Sequence, residues 1–296
     1  MTVDVSIIIV TYNVPDLLQR CLATIPDSTG GLSAEVLVVD NGSGYGTWDS
    51  IVSRPDVQAI RGSRELGFGR GNNLAASRAR GRWLLFLNPD TEFTPLGLRR
   101  LVERGDADPA LGILGPRLEL ADGSLDPAAC RSFPTPASAA LRLLRWPRRL
   151  PPRGVRPYNV APSSRREAMV DAVSGACMLV RAEAFRRVGG FDPQFFTYGE
   201  DLDLGYRIRQ AGWPTLFVPS VVVRHLKRQS TRQRAVRARV EFYRAIWLYY
   251  RKHRQRDGVW LRAVVTAAIV VLALGAVARQ VARQMLALGR RKGAVS

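Results

Sequence analysis

Apolar and polar residues alternate in blocks along the first part of the chain. Val5 to Val10 is a short, wholly apolar, β-branched run, the pattern of a central parallel strand buried on both faces. Thr11-Tyr12-Asn13 follows. Pro15-Asp16 then opens a helical pattern through about Ile25, with Asn13 or Val14 as N-cap and Pro15 in the first turn. Glu35 to Val39 is a second strand that ends in the turn signal Asp40-Asn41-Gly42-Ser43. Val57 to Ile60 is a weaker third strand and Leu74 to Arg80 reads as a helix. Trp83 to Leu87 is another apolar strand, stopping at Asn88-Pro89-Asp90. Strands alternating with helices predict an α/β fold: a mostly parallel sheet, helices on both faces and right-handed crossovers.

From Pro134 to Ser164 the pattern dissolves. Pro, Arg and Ser dominate, and the segment reads as a mobile basic loop. Order returns at Val170 to Val180, where Ser174 to Val180 reads as a further buried strand, and Ala182 to Val188 is a short helix closed by Gly189-Gly190. Glu200 to Ala211 is a helix stopped by Gly212, and Leu216 to Val223 is a last short strand leading to His225. These features place one domain at 1–230. Beyond it, Val236, Val240, Tyr243, Trp247 and Tyr250 recur at helical spacing between arginines, and Ala263 to Ala278 is apolar except for Thr266. A basic segment, Arg279 to Lys292, ends a helical, membrane-associating tail at 231–296.

Charge sharpens the picture. The 296 residues carry a formal net charge of +19, which points to a polyanionic partner: nucleic acid, an anionic membrane surface or a phosphorylated substrate. The three cysteines, Cys21, Cys130 and Cys177, are far apart and lack metal-ligand spacing, so they read as buried small residues in a reducing compartment. The start of the chain enters its first strand without a basic leader, so no signal peptide is expected.

Candidate chemistry gathers where strands end. In open α/β sheets ligands bind beyond the carboxyl ends of the strands. Thr11-Tyr12-Asn13, Asp40-Asn41 and Asn88-Pro89-Asp90 all fall there. Any one of them is ordinarily a turn or cap; three in register favour a shared site. Asp40 is a candidate acceptor for a base or ribose, and Asp90 a candidate ligand for a divalent cation. Gly67-Phe68-Gly69-Arg70-Gly71-Asn72-Asn73 is a Gly-rich turn before a helix, suited to phosphate, although a plain loop-to-helix junction reads the same way. It matches neither the P-loop nor the full dinucleotide fingerprint. Phe196-Thr197-Tyr198-Gly199-Glu200-Asp201-Leu202-Asp203 sets three carboxylates in an aromatic and apolar context, where a carboxylate can be tuned into a general base.

Taken together, Ser6 to Asn13, Val38 to Ser43, Gly67 to Asn73, Leu87-Asn88-Pro89-Asp90-Thr91 and Gly189-Gly190-Phe191-Asp192 running into Glu200-Asp201 resemble the inverting glycosyltransferase family 2, in its rhamnosyltransferase-like branch. The likeness covers roughly residues 3 to 230. It implies the GT-A (Rossmann-like) fold and transfer of a sugar from a nucleotide-diphosphate sugar. The expected donor is dTDP-rhamnose-like or a UDP-sugar, and the expected acceptor a polyprenyl-diphosphate-linked glycan of cell-surface polysaccharide. The resemblance implies that Thr11, Tyr12, Asn13 and Asp40, with Asn41 beside them, hold the nucleoside. Gly67 with Asn72 or Asn73 would face the nucleotide sugar. Asp90 matches the last acidic residue of the family's DxD metal motif, whose first position here is Asn88, so one charged ligand is missing. His225 matches the place where some members supply a further ligand for Mg²⁺ or Mn²⁺. Asp201 matches the catalytic base, with Glu200 its neighbour. Asp203 reads as a helix-start charge paired with Arg207, and His253 as a solvated position.

Ala263 to Ala278 is shorter than the roughly twenty residues that cross a bilayer, so an interfacial or re-entrant helix, a short span and an oligomer-forming helix all remain open. The expected location is the cytoplasmic face of the cell membrane. The arginine-rich stretch from Arg142 to Arg156 is a candidate contact for lipid head groups or a lipid-diphosphate acceptor. Two other readings compete: a non-catalytic GT-A-fold assembly partner, and a basic nucleic-acid-binding protein. The second lacks any recognisable binding motif, and nucleic acid is not expected as a partner.

Overall fold

The computed structural model describes residues 2–44, 46–62, 65–138, 153–160, 162, 166–226 and 235–292. Strands β1 (Val5–Thr11), β2 (Ala34–Asp40), β3 (Gln58–Arg61) and β4 (Trp83–Leu87) run parallel in the order β3-β2-β1-β4. Val5 and Ile7 to Ile9 have no exposed surface, which is why β1 reads as an uninterrupted apolar run. Helix α1 (Pro15–Thr29) starts with proline in its first turn and closes on Gly30 in a left-handed conformation. A short helix, α2 (Asp49–Val52), precedes β3.

Beyond β4 the sheet becomes mixed. After β5 (Thr91–Phe93), helix α4 (Gly97–Asp106) and β6 (Ile113–Glu119) comes β11 (Cys177–Arg181), which lies between β4 and β6 and is antiparallel to both. The last strand, β12 (Thr215–His225), runs parallel to β6, with an irregularity between Val218 and Val222, and antiparallel to β5 and to β9 (Ala168–Val170). It is longer than its apolar stretch predicts, and the extra residues carry His225 alongside Thr91. A second, three-stranded sheet joins β10 (Ala172–Val173), β7 (Cys130–Arg131) and β8 (Asn159–Val160). Helices α5 (Ala182–Arg187) and α6 (Glu200–Gln210) follow their predicted positions. The three cysteines are buried and free.

Two expectations shift. Helix α3 spans Phe68–Ala76, so the Gly-rich stretch lies within the helix rather than before it. The reason is packing: a Cβ on Gly71 would lie 3.0 Å from the Val10 side chain, and one on Gly69 3.3 Å from Phe191. The expected basic loop at 134–164 falls largely on residues 139–152, 161 and 163–165, outside the described residues, as does most of Arg142 to Arg156.

The tail forms two helices, α7 (Ala235–His253) and α8 (Val259–Lys292). Ala245, Leu248 and Tyr249 of α7 are buried against Phe195 and against Leu202 of α6. A polar contact accompanies this packing. The Asp203 carboxylate, fully buried, accepts hydrogen bonds from His253 Nε2 at 2.7 Å, Lys252 Nζ at 2.8 Å and Arg207 Nε at 2.8 Å. His253 is therefore not a solvated residue. Its ring is enclosed between Tyr206 and Tyr249 and ties α7 to α6. Residues Val259–Ala282 of α8 are long and apolar enough to cross a membrane, and nearly all of that stretch faces outward.

Candidate active site

Strand order reverses between β1 and β4, and the loops after β1, β2 and β4 open at that switch point. Thr11 and Asp40 are register partners at the ends of β1 and β2. Asp40 is buried, and its Oδ1 accepts the Ser43 N–H at 3.0 Å. Asn13 adopts a left-handed φ of 51°, donates its N–H to Ser43 Oγ at 3.0 Å and accepts the Gly44 N–H at 2.9 Å. Asn41 donates its N–H to the Thr11 carbonyl at 2.9 Å, while its Oδ1 accepts the Leu66 N–H at 2.6 Å. These bonds clamp the two loops together. The Thr11 hydroxyl is buried without a hydrogen-bond partner, and Tyr12 is half-buried beside it.

The start of α3 is fastened to the segment before Glu200. Gly67 has φ 82°, a Cβ there would stand 2.3 Å from the Phe196 carbonyl oxygen, and the Phe68 N–H donates to that oxygen at 2.8 Å. Asn72 is buried; its amide donates to the Phe68 carbonyl at 2.9 Å and its Oδ1 has no partner. Asn73 differs from expectation. Its amide donates to the Phe191 carbonyl at 2.7 Å and its Oδ1 accepts the Phe191 N–H at 2.9 Å, so both ends hold the backbone of a neighbouring loop rather than facing a donor.

Asp201 sits in the first turn of α6, 8% exposed. Its Oδ2 accepts from the Arg131 guanidinium and from the Gly175 N–H at 2.8 Å, and its Oδ1 accepts the Leu202 N–H at 2.8 Å. The next residue, Ala176, accepts the Asn88 N–H at 2.9 Å. Two consecutive residues before β11 thus connect Asp201 to Asn88-Pro89-Asp90. Because β11 is antiparallel to β4, its beginning lies at the carboxyl end of β4, and Asp201 reaches the same end of the sheet as Thr11 and Asp40. Glu200 is also buried, with an unpartnered Oε2. Burial, reinforced by the negative charge of Asp201, pushes its carboxyl up to about 8.

Asp90 Oδ1 lies 3.5 Å from His225 Nε2, and Asp126 Oδ2 lies 3.0 Å from His225 Nδ1. Burial would lower the imidazole pKa, but hydrogen bonds to Asp126 and Asp90 outweigh it and raise it to about 9. The pocket is thus built for positive charge. A divalent cation could take the place of the proton on Nε2, with the Asp90 carboxylate as a second ligand and the buried Asp126 holding Nδ1–H from behind. Among the described residues no group of three or more His, Cys, Asp or Glu is arranged to hold a metal. Asp90 and His225 could hold a cation whose coordination is completed by substrate phosphates.

Arg131 and Asp126 escaped the sequence reading. Each is a single charge in a loop-like stretch, and their partners lie 70 and 99 positions away.

A doubly wound sheet with an acid–histidine pair and a buried carboxylate at its carboxyl end fits a glycosyltransferase of the GT-A fold. The chain belongs to glycosyl transferase family 2: the model of that family matches residues 6–189, and that of glycosyl transferase family group 2 matches residues 157–288. The N-acetylglucosaminyl-diphospho-decaprenol L-rhamnosyltransferase of Mycobacterium tuberculosis is 34% identical over 246 residues, covering 78% of each chain. The rhamnosyltransferase WbbL of Escherichia coli is 26% identical, over 77% of this chain and 85% of its own. Among solved structures, a mannosyltransferase from Pyrobaculum calidifontis in complex with GDP-Man and Mn²⁺ superposes with a TM-score of 0.58 at 19% identity, over 98% of this chain and 80% of that one.

Proposed function

We propose that the enzyme transfers rhamnose, with inversion, from a dTDP-rhamnose-like donor to a hydroxyl of a polyprenyl-diphosphate-linked glycan in cell-surface polysaccharide synthesis. A UDP-sugar is the alternative donor. The name of the mycobacterial relative supports this choice of sugar and lipid carrier. The observation that carries the chemistry is the linkage of Asp201, through Gly175 and Ala176, to the loop holding Asp90.

In this reading Asp201 takes the proton of the acceptor hydroxyl as it attacks the anomeric carbon. Arg131 and the Gly175 N–H hold Oδ2, which leaves the second lone pair of Oδ1 to face the acceptor. Glu200, favouring its neutral form, lets Asp201 alone carry the charge of the adjacent pair. Thr11, Tyr12, Asn13, Asp40 and Asn41 enclose the nucleoside, and the buried Oδ1 of Asn72 is the remaining acceptor near the donor. Mg²⁺ or Mn²⁺ held by Asp90 and His225 would neutralise charge on the departing diphosphate. A single displacement inverts the anomeric centre, and no second carboxylate is needed as nucleophile. The outward apolar face of α8 supports attachment to the membrane, in this reading at the cytoplasmic face, where a lipid-linked acceptor would lie.

A donor screen with dTDP-, UDP- and GDP-sugars, with and without divalent metal, tests the reading, with the product anomer assigned by NMR. Asp201→Asn is expected to abolish transfer while leaving donor binding largely intact. Full activity in that variant would rule out the assigned base.

A further inference from the structure

Between α7, the head of α8 and the loop before α6 lies a cavity of about 610 Å³, lined on its polar side by Asp192, Gln194, Arg251, Lys252, Gln255 and Arg262. Its charges are unequal. Lys252 bridges Asp192 at 2.5 Å and Asp203 at 2.8 Å, so the one carboxylate of the lining is already matched. Arg251 stacks on the Trp247 ring at 4.4 Å and reaches Gln194 Oε1 at 3.3 Å. Neither Arg251 nor Arg262 has an ion pair among the described residues. Two guanidiniums without an ion pair among the described residues therefore line one cavity, with the amides of Gln194 and Gln255 beside them.

The position of the cavity selects its ligand. Arg262 lies in the first turn of α8, and Trp260, Val264, Val271 and Leu274 of that helix are 64–83% exposed. An apolar surface of this size is covered by acyl chains when the helix meets a bilayer. Its first turn, with Arg262, then sits at head-group depth. Guanidinium forks match the oxygens of a phosphodiester.

We propose that this cavity binds the phosphate of an anionic membrane phospholipid, whose acyl chains run along α8. The site is separate from the crevice at the end of the sheet and orients the enzyme on the membrane. It rests on the membrane attachment proposed above but not on the sugar-transfer chemistry.

The test uses the full chain in a non-ionic detergent, titrated with short-chain phosphatidylglycerol and followed by tryptophan emission, to which Trp247 beneath Arg251 contributes. Parallel titrations use short-chain phosphatidylcholine and inorganic phosphate. Saturable binding of phosphatidylglycerol is expected, at least about tenfold tighter than either control. The Arg251→Ala/Arg262→Ala double variant should lose roughly tenfold or more, since it removes both guanidinium partners of the phosphate. Arg239→Ala/Arg279→Ala removes the same charge outside the cavity and should change affinity by no more than about twofold. Equal losses in both double variants would mean diffuse attraction and overturn the site. So would equal binding of the two lipids, or inorganic phosphate binding as tightly as phosphatidylglycerol. Binding is read without donor or acceptor, so a negative result leaves the proposed reaction untouched.

Discussion

Arg131 and Asp201 form a buried ion pair across two elements that are distant in sequence, each side chain only 10% exposed. The guanidinium also donates to the Val173 carbonyl at 3.1 Å, which fixes it to β10. The guanidinium compensates a carboxylate charge that would otherwise be buried alone. Arg131→Met removes the partner and leaves a buried charge, so a loss of roughly 3–5 kcal/mol in unfolding free energy is expected. Arg131→Lys keeps the charge but not the fork. It should fold close to normally yet lower kcat more than donor KM, because a misplaced base affects the chemical step. Urea unfolding and steady-state kinetics of the two variants check both parts. Equal kcat in Arg131→Lys and the parent would leave Arg131 a purely structural residue.

Asp126 acts on the proposed metal site only through His225. It holds Nδ1 and so presents Nε2 toward Asp90. Its other oxygen accepts the Ala128 N–H at 2.8 Å, which keeps the carboxylate from turning away. Asp126→Ala is expected to weaken Mn²⁺ affinity about 10- to 100-fold, the usual effect of losing such a supporting group. At saturating Mn²⁺ most of the turnover should return. Isothermal titration with Mn²⁺ reads the first effect and assays across a metal series the second. A variant with unchanged Mn²⁺ affinity would exclude the assigned role.

The sheet was largely legible because its strands bury both faces. β1, β2 and β4 fall within a residue or so of their apolar runs, since nothing but packing decides them. What local pattern does not encode is partner choice. β11 reads like any buried strand, yet it pairs antiparallel between β4 and β6, and that reversal brings Asp201 to Asn88. β5 and β7, of three and two residues, are too short for a period to develop. In α3, Gly69 and Gly71 mimic a turn, but their role is close approach to Phe191 and Val10. The site divides the same way. Asp40, Asp90, Asp201 and His225 lie at strand or helix ends, where a polar residue stands out. Arg131 and Asp126 acquire meaning only from partners brought near by the fold.

Glu200 makes the stability of the enzyme depend on pH. Its carboxyl is shifted from an ordinary value of 4.5 up to about 8, first by burial and then by the charge of Asp201. A raised folded-state pKa means that the neutral form is favoured. The stabilising contribution is complete below the unfolded value and is lost as pH rises toward about 8. Glu200→Gln keeps the neutral shape at every pH. Its unfolding free energy should be flatter between about pH 5 and 8 than that of the parent, and higher near pH 8 by on the order of a few kcal/mol. Urea unfolding at a series of pH values measures the difference. Parallel curves for the two proteins would mean that Glu200 does not titrate in this window.

Gly67 offers the sharpest backbone test. Its φ of 82° is readily available only to glycine, and an added Cβ would stand 2.3 Å from the Phe196 carbonyl oxygen. Nothing in that contact can rotate away, because the oxygen belongs to the backbone and already accepts the Phe68 N–H. Gly67→Ala must therefore separate the start of α3 from the segment that leads into Glu200 and Asp201. Strain at this positive φ with extended ψ adds roughly 1–3 kcal/mol to the cost of that displacement. Thermal stability should fall, and transfer should fall further than the stability loss explains, because Asp201 shifts relative to the loop holding Asp90. Gly71→Ala is the comparison. Its Cβ would meet only the Val10 side chain, at 3.0 Å, with no unfavourable φ. That variant should be destabilised while each folded molecule retains most of its transfer activity. If both substitutions reduce activity only in proportion to the folded fraction, the junction between α3 and α6 has no part in aligning the base.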